Sequence, residues 1–397
     1  MLIFTAFAVG FGMAFAIGAN DVANSMATAV GARAITPRQA VFIASILEFL
    51  GASLFGAHVT TTIAKGIVDL NQIGEPRLIV YGAFAALISS AIWIIFATLW
   101  GLPVSTTHSI VGGMIGFGIV AAGWEAINWF KMIQIVTTWI VSPLVGGLLS
   151  FVIFKVLTVT TLHRKEPANA AKFTAPVFIG IAFFTMASLF VAKTLKKPLS
   201  VAVCVSLPIA ILAFLISWFT VRGFIRKNGR SYETVEKVFK NAQVMTSCYV
   251  SFSHGANDVA NAVGPLALIY VILRYGEFSG AVNIPVYLLI FGGLGIALGI
   301  SLMGYRVMKT VGEDITELNN TRGFSIDFAT ATTVLIASAT GMPVSTTHTV
   351  VGAVTGVGLA RGVEVVNVGI LKNIALSWLL TVPLAGTVSA LIFTILR

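Results

Sequence analysis

The chain has 397 residues and a formal net charge of +10, with 57% hydrophobic and 10% charged residues, against about 25% charged in ordinary soluble domains. A soluble protein this apolar could not cover its surface, and its apolar runs are too long for barrel strands, so both classes are excluded in favour of membrane-spanning helices. Lys and Arg sit in loops without a recognition module, which argues against nucleic acid.

In chain order, Met1–Ile17 is apolar throughout. It lacks the basic leading region and cleavage site of a signal peptide, so it is expected as the first membrane helix. Further spans are expected over 38–57, 78–100, 132–157, 176–192, 199–221 and 285–303. The basic run from Arg222 to Lys240, with Arg226, Lys227 and Arg230, has the sign of a cytoplasmic loop. Cys204 and Cys248 form neither a disulfide framework nor a metal-ligand spacing and read as packing residues.

Two motifs recur. GANDVAN stands at Gly18–Asn24 and again at Gly255–Asn261; PVSTTH stands at Pro103–His108 and again at Pro343–His348. Gly112, Gly116 and Gly118 are echoed by Gly352, Gly356 and Gly358, and Trp139 and Pro143 by Trp378 and Pro383. Order and spacing are kept, so the chain is an internal duplication. It divides into a first transmembrane repeat (1–157), a connector with two helices and basic cytoplasmic loops (158–239), and a second repeat (240–397). The stretch Ile326–Thr340 before the second PVSTTH would make only about 22 Å of helix, short of the roughly 30 Å hydrocarbon core. Each PVSTTH is therefore expected at the tip of a re-entrant helical hairpin. An odd number of crossings separates the two GANDVAN motifs, so the second repeat is inverted. The fold expected is an all-α polytopic membrane protein of two inverted repeats with broken first helices. Loop charge puts both termini on the extracytoplasmic side of the cell membrane.

GANDVAN places Asp21 with Asn24, and Asp258 with Asn261, on one helical face inside apolar helices. Intramembrane acids are costly and mark function. Gly18 and Gly255 would let the backbone unwind and free its carbonyl oxygens. Carboxylate, amide and carbonyl together form a hard-oxygen set suited to Na⁺. PVSTTH begins a helix: its proline and hydroxyls suit the first turn, and exposed N–H groups at a helix N-terminus attract anions. Ser105, Thr106, Thr107, Ser345, Thr346 and Thr347 would then surround a tetrahedral oxyanion from two opposed tips. No Lys or Arg lies in either motif, so two Na⁺ would neutralise the two aspartates before the anion enters. Asn20, Asn257, Glu48, His108 and His348 are additional candidates; the repeat puts Ile296 opposite Glu48.

GANDVANSMATAVGARAIT, GANDVANAVGPLA and the two PVSTTH tips resemble the inorganic phosphate transporter (PiT) family through both repeats. The resemblance implies Na⁺- or H⁺-driven phosphate symport, with Asp and Asn handling the coupling ion and the Ser and Thr tips binding phosphate. Expected partners are inorganic phosphate, Na⁺ and the lipid bilayer; a homodimer is compatible with such a chain, and no cofactor beyond the coupling ion is expected. Proton-coupled phosphate transport and a sulfate permease are the nearest alternatives. Phosphate near neutral pH carries a proton and needs an acceptor, which an aspartate provides, whereas sulfate needs donors only. An anion channel fits poorly with intramembrane acids. A hydrolase using Asp21, Ser105 and His108 would have no reason to be duplicated and lacks a nucleophile elbow.

Overall fold

The structure, a computed structural model, describes residues 2–229, 231–276, 284–308, 318–362 and 368–397. Arg230 of the basic run lies outside the described residues. The helices in order are α1 (Leu2–Gly31), α2 (Pro37–Phe55), α3 (Ala57–Lys65), α4 (Pro76–Leu99), α5 (Thr106–Ala122), α6 (Trp129–Leu157) and α7 (Pro167–Leu189). They are followed by α8 (Leu199–Asn228), α9 (Tyr232–Tyr275), α10 (Val286–Met303), α11 (Asn320–Ala339), α12 (Thr346–Arg361) and α13 (Val368–Leu396). Among the described residues, 9 helices are long and apolar enough to cross a membrane. Local signals set their ends: α2, α4 and α7 open on a proline, which the first helical turn tolerates. Thr36 and Gln39 form a reciprocal capping box at the start of α2.

The two motif helices, α1 and α9, pack against each other and run antiparallel. Near one end Phe7 meets Tyr270, ring centroids 6.4 Å apart, and further along His254 Nε2 lies 3.7 Å from an Asp21 oxygen. This is the relation an inverted duplication requires. The halves interlock rather than sit side by side: α1 packs on α10 as α9 packs on α2, and α5 packs on α13 as α12 packs on α6. The register of these exchanges corrects one pairing. Gly112 abuts the Val382 carbonyl and Gly352 abuts that of Pro143, so Val382, not Pro383, is the counterpart of Pro143.

The expectation of broken first helices does not hold. Both α1 and α9 are helical straight through GANDVAN. Gly18 and Gly255 serve close approach instead. A Cβ on Gly18 would lie 2.0 Å from the Ile296 carbonyl oxygen, and one on Gly255 2.1 Å from that of Glu48. Only glycine lets these backbones touch, and the pairing of Ile296 with Glu48 across the repeat is confirmed by the same contacts. The irregular backbone lies in the tips, where Gly101 (φ 69°) and Gly341 (φ 73°) take the left-handed turn that L side chains resist.

The second hairpin arm is also longer than expected. The arm over Ile326–Thr340 begins at Asn320, giving a 20-residue helix, and α4 has 24 residues. The sequence window missed Asn320–Ser325 because it is polar. That turn is buried against protein rather than lipid: a Cβ on Gly323 would strike the Gln243 side chain of α9. Helix α9, 44 residues long and buried without a break from Ser253 to Ile272, is the central post of the bundle. The expected boundary at 239/240 falls within it.

Candidate functional site

Both tips reach the same point beside the paired motifs. Ser105 and Ser345 are the N-caps of α5 and α12, their hydroxyl oxygens accepting the N–H of His108 and His348 at 3.2 Å each. This frees the next two residues of each tip to point inward. Thr107 donates to the Val344 carbonyl (3.1 Å) and Thr347 to the Val104 carbonyl (3.3 Å), so each tip is bonded to the backbone of the other.

The motif side chains close on these threonines. Asn24 Nδ2 donates to Asp21 Oδ1 (3.0 Å) and Thr347 Oγ1 (3.0 Å), with Thr346 Oγ1 at 3.4 Å. Asn261 Nδ2 makes the matching set, to Asp258 Oδ1 (2.8 Å), Thr106 Oγ1 (3.2 Å) and Thr107 Oγ1 (3.3 Å). Thr106 Oγ1 also lies 2.8 Å from Asp21 Oδ2 and 3.1 Å from Asp258 Oδ1. One hydroxyl therefore bridges the two acids. All eight of these tip and motif residues are buried.

Two carboxylates held this close in a low-dielectric interior repel strongly unless a cation or proton lies between them. Asp258 Oδ2 and Asn261 Oδ1 are buried and have no hydrogen-bond donor among the described residues. Oxygens of this kind, carboxylate and amide together, fit a hard monovalent cation.

The additional candidates separate into two groups. Asn20 and Asn257 clasp the tips. Asn20 Nδ2 donates to Thr98 Oγ1 and the Leu102 carbonyl, both at 3.0 Å, and Asn20 Oδ1 accepts from Val104 N (3.3 Å). Asn257 bonds Val344 on both sides, at 2.9 and 3.5 Å. His108 and His348 likewise position the hairpins. Their Nδ1 atoms lie 3.4 Å from the Trp378 carbonyl and 3.1 Å from that of Trp139, and since a carbonyl only accepts, Nδ1 carries the proton. Each ring lies on a tryptophan, and the two rings meet edge to face at 4.4 Å.

Glu48 belongs to the other group, together with His254, which sequence reasoning missed. Glu48 is fully buried; it accepts from Ser25 Oγ (2.9 Å) and faces His254 Nδ1 at 2.7 Å. The same imidazole's Nε2 lies 3.1 Å from Asp258 Oδ2, too poorly aligned for a hydrogen bond. A second buried acid, Asp327, was also missed. It accepts from Thr28 and Ser247, each at 2.5 Å. The signal that marked Glu48 existed for both missed residues: reading one repeat against the other pairs His254 with Ile17 and Asp327 with Leu87, as it pairs Glu48 with Ile296. Positions apolar in one half and ionisable in the other escape a search for repeated motifs.

The family model described as the phosphate transporter family matches residues 17–389. The chain is 54% identical to a protein of Pyrococcus abyssi named as a phosphate permease, over 98% of this chain and 96% of that one. It is 41% identical to a chloroplast inorganic phosphate transporter of Arabidopsis thaliana, over 97% of this chain and 70% of the relative. A solved structure titled as the sodium-dependent phosphate transporter superposes with a TM-score of 0.97 at 55% identity, covering 100% of this chain and 98% of that one. This chain is a multi-pass membrane protein that belongs to the phosphate transporter family.

Proposed function

We propose that the protein is a secondary active symporter that carries inorganic phosphate across the membrane, driven by Na⁺. The observation that carries this reading is the Thr106 hydroxyl shared by Asp21 and Asp258. It brings the acid of each half to one point beside both hydroxyl-rich tips. In this reading Asp21 with Asn24, and Asp258 with Asn261, each hold one Na⁺. The hydroxyls of Ser105, Thr106, Thr107, Ser345, Thr346 and Thr347, with the N–H groups opening α5 and α12, receive phosphate. An anion entering beside two bare carboxylates would be repelled, so cation and anion bind with positive coupling, each raising the other's affinity by the same factor. The antiparallel motif helices support an inverted pair of repeats, 1–157 and 240–397, around the connector 158–239. Such a pair transports by alternating access around a site near the bilayer midplane. Both termini are then extracytoplasmic.

Labelled phosphate uptake into proteoliposomes tests this, under inward Na⁺, inward H⁺ or no gradient and with excess sulfate. The reading requires Na⁺-driven uptake that sulfate does not block, abolished in both Asp21→Asn and Asp258→Asn. Sulfate inhibition would move the substrate to sulfate. The buried His254, a titratable base set against Glu48 and both aspartates, favours proton coupling as the second reading. Uptake driven by H⁺ alone would establish it.

A further inference from the structure

The connector helices leave an apolar groove that transport does not use. α7 and α8 form an antiparallel pair that stands against the outer face of α9. Between the three helices lies a cavity of about 330 Å³ lined by Ile179, Phe183, Leu212, Ile216, Phe224 and Met245. A second cavity of about 400 Å³ shares Ile179, Phe183 and Met245 and continues to Leu47 and Leu50 of α2. Along α8 the first cavity runs from Ile209 to Phe224, about 22 Å at 1.5 Å per residue. One bilayer leaflet contributes only about 15 Å of hydrocarbon, half of the roughly 30 Å core. The groove faces outward, since Leu212 and Ile216 on its wall are both 59% exposed.

Its end is chemically distinct. On each of the three walls a lining residue is followed, at the next helical position, by a lysine. Ala175 of α7 is followed by Lys172 toward its N-terminus, Phe224 of α8 by Lys227 toward its C-terminus, and Asn241 of α9 by Lys237 toward its N-terminus. All three termini lie at one end of the bundle, because α7 and α8 are antiparallel and only Gly229–Ser231 joins α8 to α9. Lys172 donates to Asn169 at 2.6 Å, and Asn169 in turn bonds Glu166. Lys237 pairs with Glu233 at 2.6 Å, both side chains being more than half exposed; such a pair holds its charge weakly. Glu236 is engaged by Thr321 and Asn319. Arg222, Arg226 and Lys240 add exposed positive charge at the same end.

We propose that this groove is a binding site for an anionic phospholipid, with an acyl chain between α7, α8 and α9 and the headgroup phosphate on Lys172, Lys227 and Lys237. Charge selects the occupant: the choline cation of a zwitterionic lipid offsets what its phosphate gains from lysines, and a second copy of this chain would bring its own lysines, whereas a net-negative headgroup gains from each of three lysines at one end of the groove. The lipid would tie the connector pair to α9, the post that carries Asp258.

Native mass spectrometry of the full-length protein, exchanged into phosphatidylglycerol or phosphatidylcholine, reads this directly. Phosphatidylglycerol should be retained in preference to phosphatidylcholine and should raise the thermal unfolding temperature of the unaltered protein. The triple variant K172Q/K227Q/K237Q should lose retention on the order of 100-fold, about five-fold for each lysine. Ala213→Phe, which fills the groove and leaves the charges in place, should also displace the lipid; Na⁺-driven uptake by both variants serves as the folding control. Equal retention of the two lipids would overturn the proposal. So would a triple variant that keeps phosphatidylglycerol, or a dimer that Ala213→Phe dissociates, since the groove would then belong to a second copy.

Discussion

His254 faces Glu48 across the α2–α9 contact, Nδ1 2.7 Å from Oε2, while the repeat places Ile17 and Ile296 at the equivalent positions. The duplication is therefore symmetric in its paired Asp, Asn and Thr groups and asymmetric immediately beside them. An acid–base pair on one side of the centre answers isoleucines on the other, so the two halves cannot be energetically equivalent.

Removing Glu48 strips the buried His254 of its Nδ1 partner, leaving only the aspartates on its Nε2 side. Glu48→Ile should destabilise the protein by about 3–5 kcal/mol. The double variant E48I/H254I, which gives this half the residues of the other, should recover most of that loss. Thermal unfolding in detergent measures both. A double variant no more stable than Glu48→Ile would mean that the pair is not the unit proposed.

Thr106 and Thr346 occupy equivalent tip positions with unequal duties. Thr106 bonds both aspartates, whereas Thr346 is reached by Asn24 at 3.4 Å. Hydrogen bonds to charged groups contribute about 1.5–3 kcal/mol, so Thr106→Val should lower uptake roughly 10- to 100-fold. Thr346→Val should act more mildly. Equal losses in uptake assays would show that phosphate contacts, shared by both tips, outweigh the bridge.

Asn20 and Asn257 clasp the tips in this arrangement. Asn20→Ala should increase hydrogen exchange at Val104–Thr107 while leaving Na⁺ affinity within a few-fold of the unaltered protein. A large fall in Na⁺ affinity with an unchanged exchange pattern would return Asn20 to the ion site.

Gly18→Ala and Gly255→Ala each place a methyl group about 2 Å from a facing carbonyl oxygen. Overpacking of this kind costs about 1–3 kcal/mol or more. Gly12→Ala, on the same helix with nothing within 4 Å of the added carbon, should instead be neutral or stabilising by up to about 1 kcal/mol. Thermal unfolding of the three variants separates close approach from helix propensity.

Several features of the protein can be read without coordinates, because each is written locally. Membrane insertion follows from apolar runs of helix length, and duplication from the repetition of GANDVAN and PVSTTH. The candidate ion and anion groups follow from the cost of placing Asp21 and Asp258 among apolar residues. Helix entry is equally local: Pro37, Thr36 and Gln39 determine the start of α2 whatever it packs against.

Tertiary structure decided what depends on a partner distant in sequence. A glycine in a helix marks either a break or a close approach, and only the carbonyls of Ile296 and Glu48 against Gly18 and Gly255 settle that α1 and α9 stay whole. The polar start of α11 looks like loop until α9 is seen to shelter it. Glu48, His254 and Asp327 come from three helices, and repetition gave no reason to join them. Their match to isoleucine or leucine in the other half can be read by aligning the repeats, but their burial and their spacing exist only once the halves interlock. Local sequence sets which groups are too costly to leave unpaired in a membrane; packing across the interlocked repeats selects the partner.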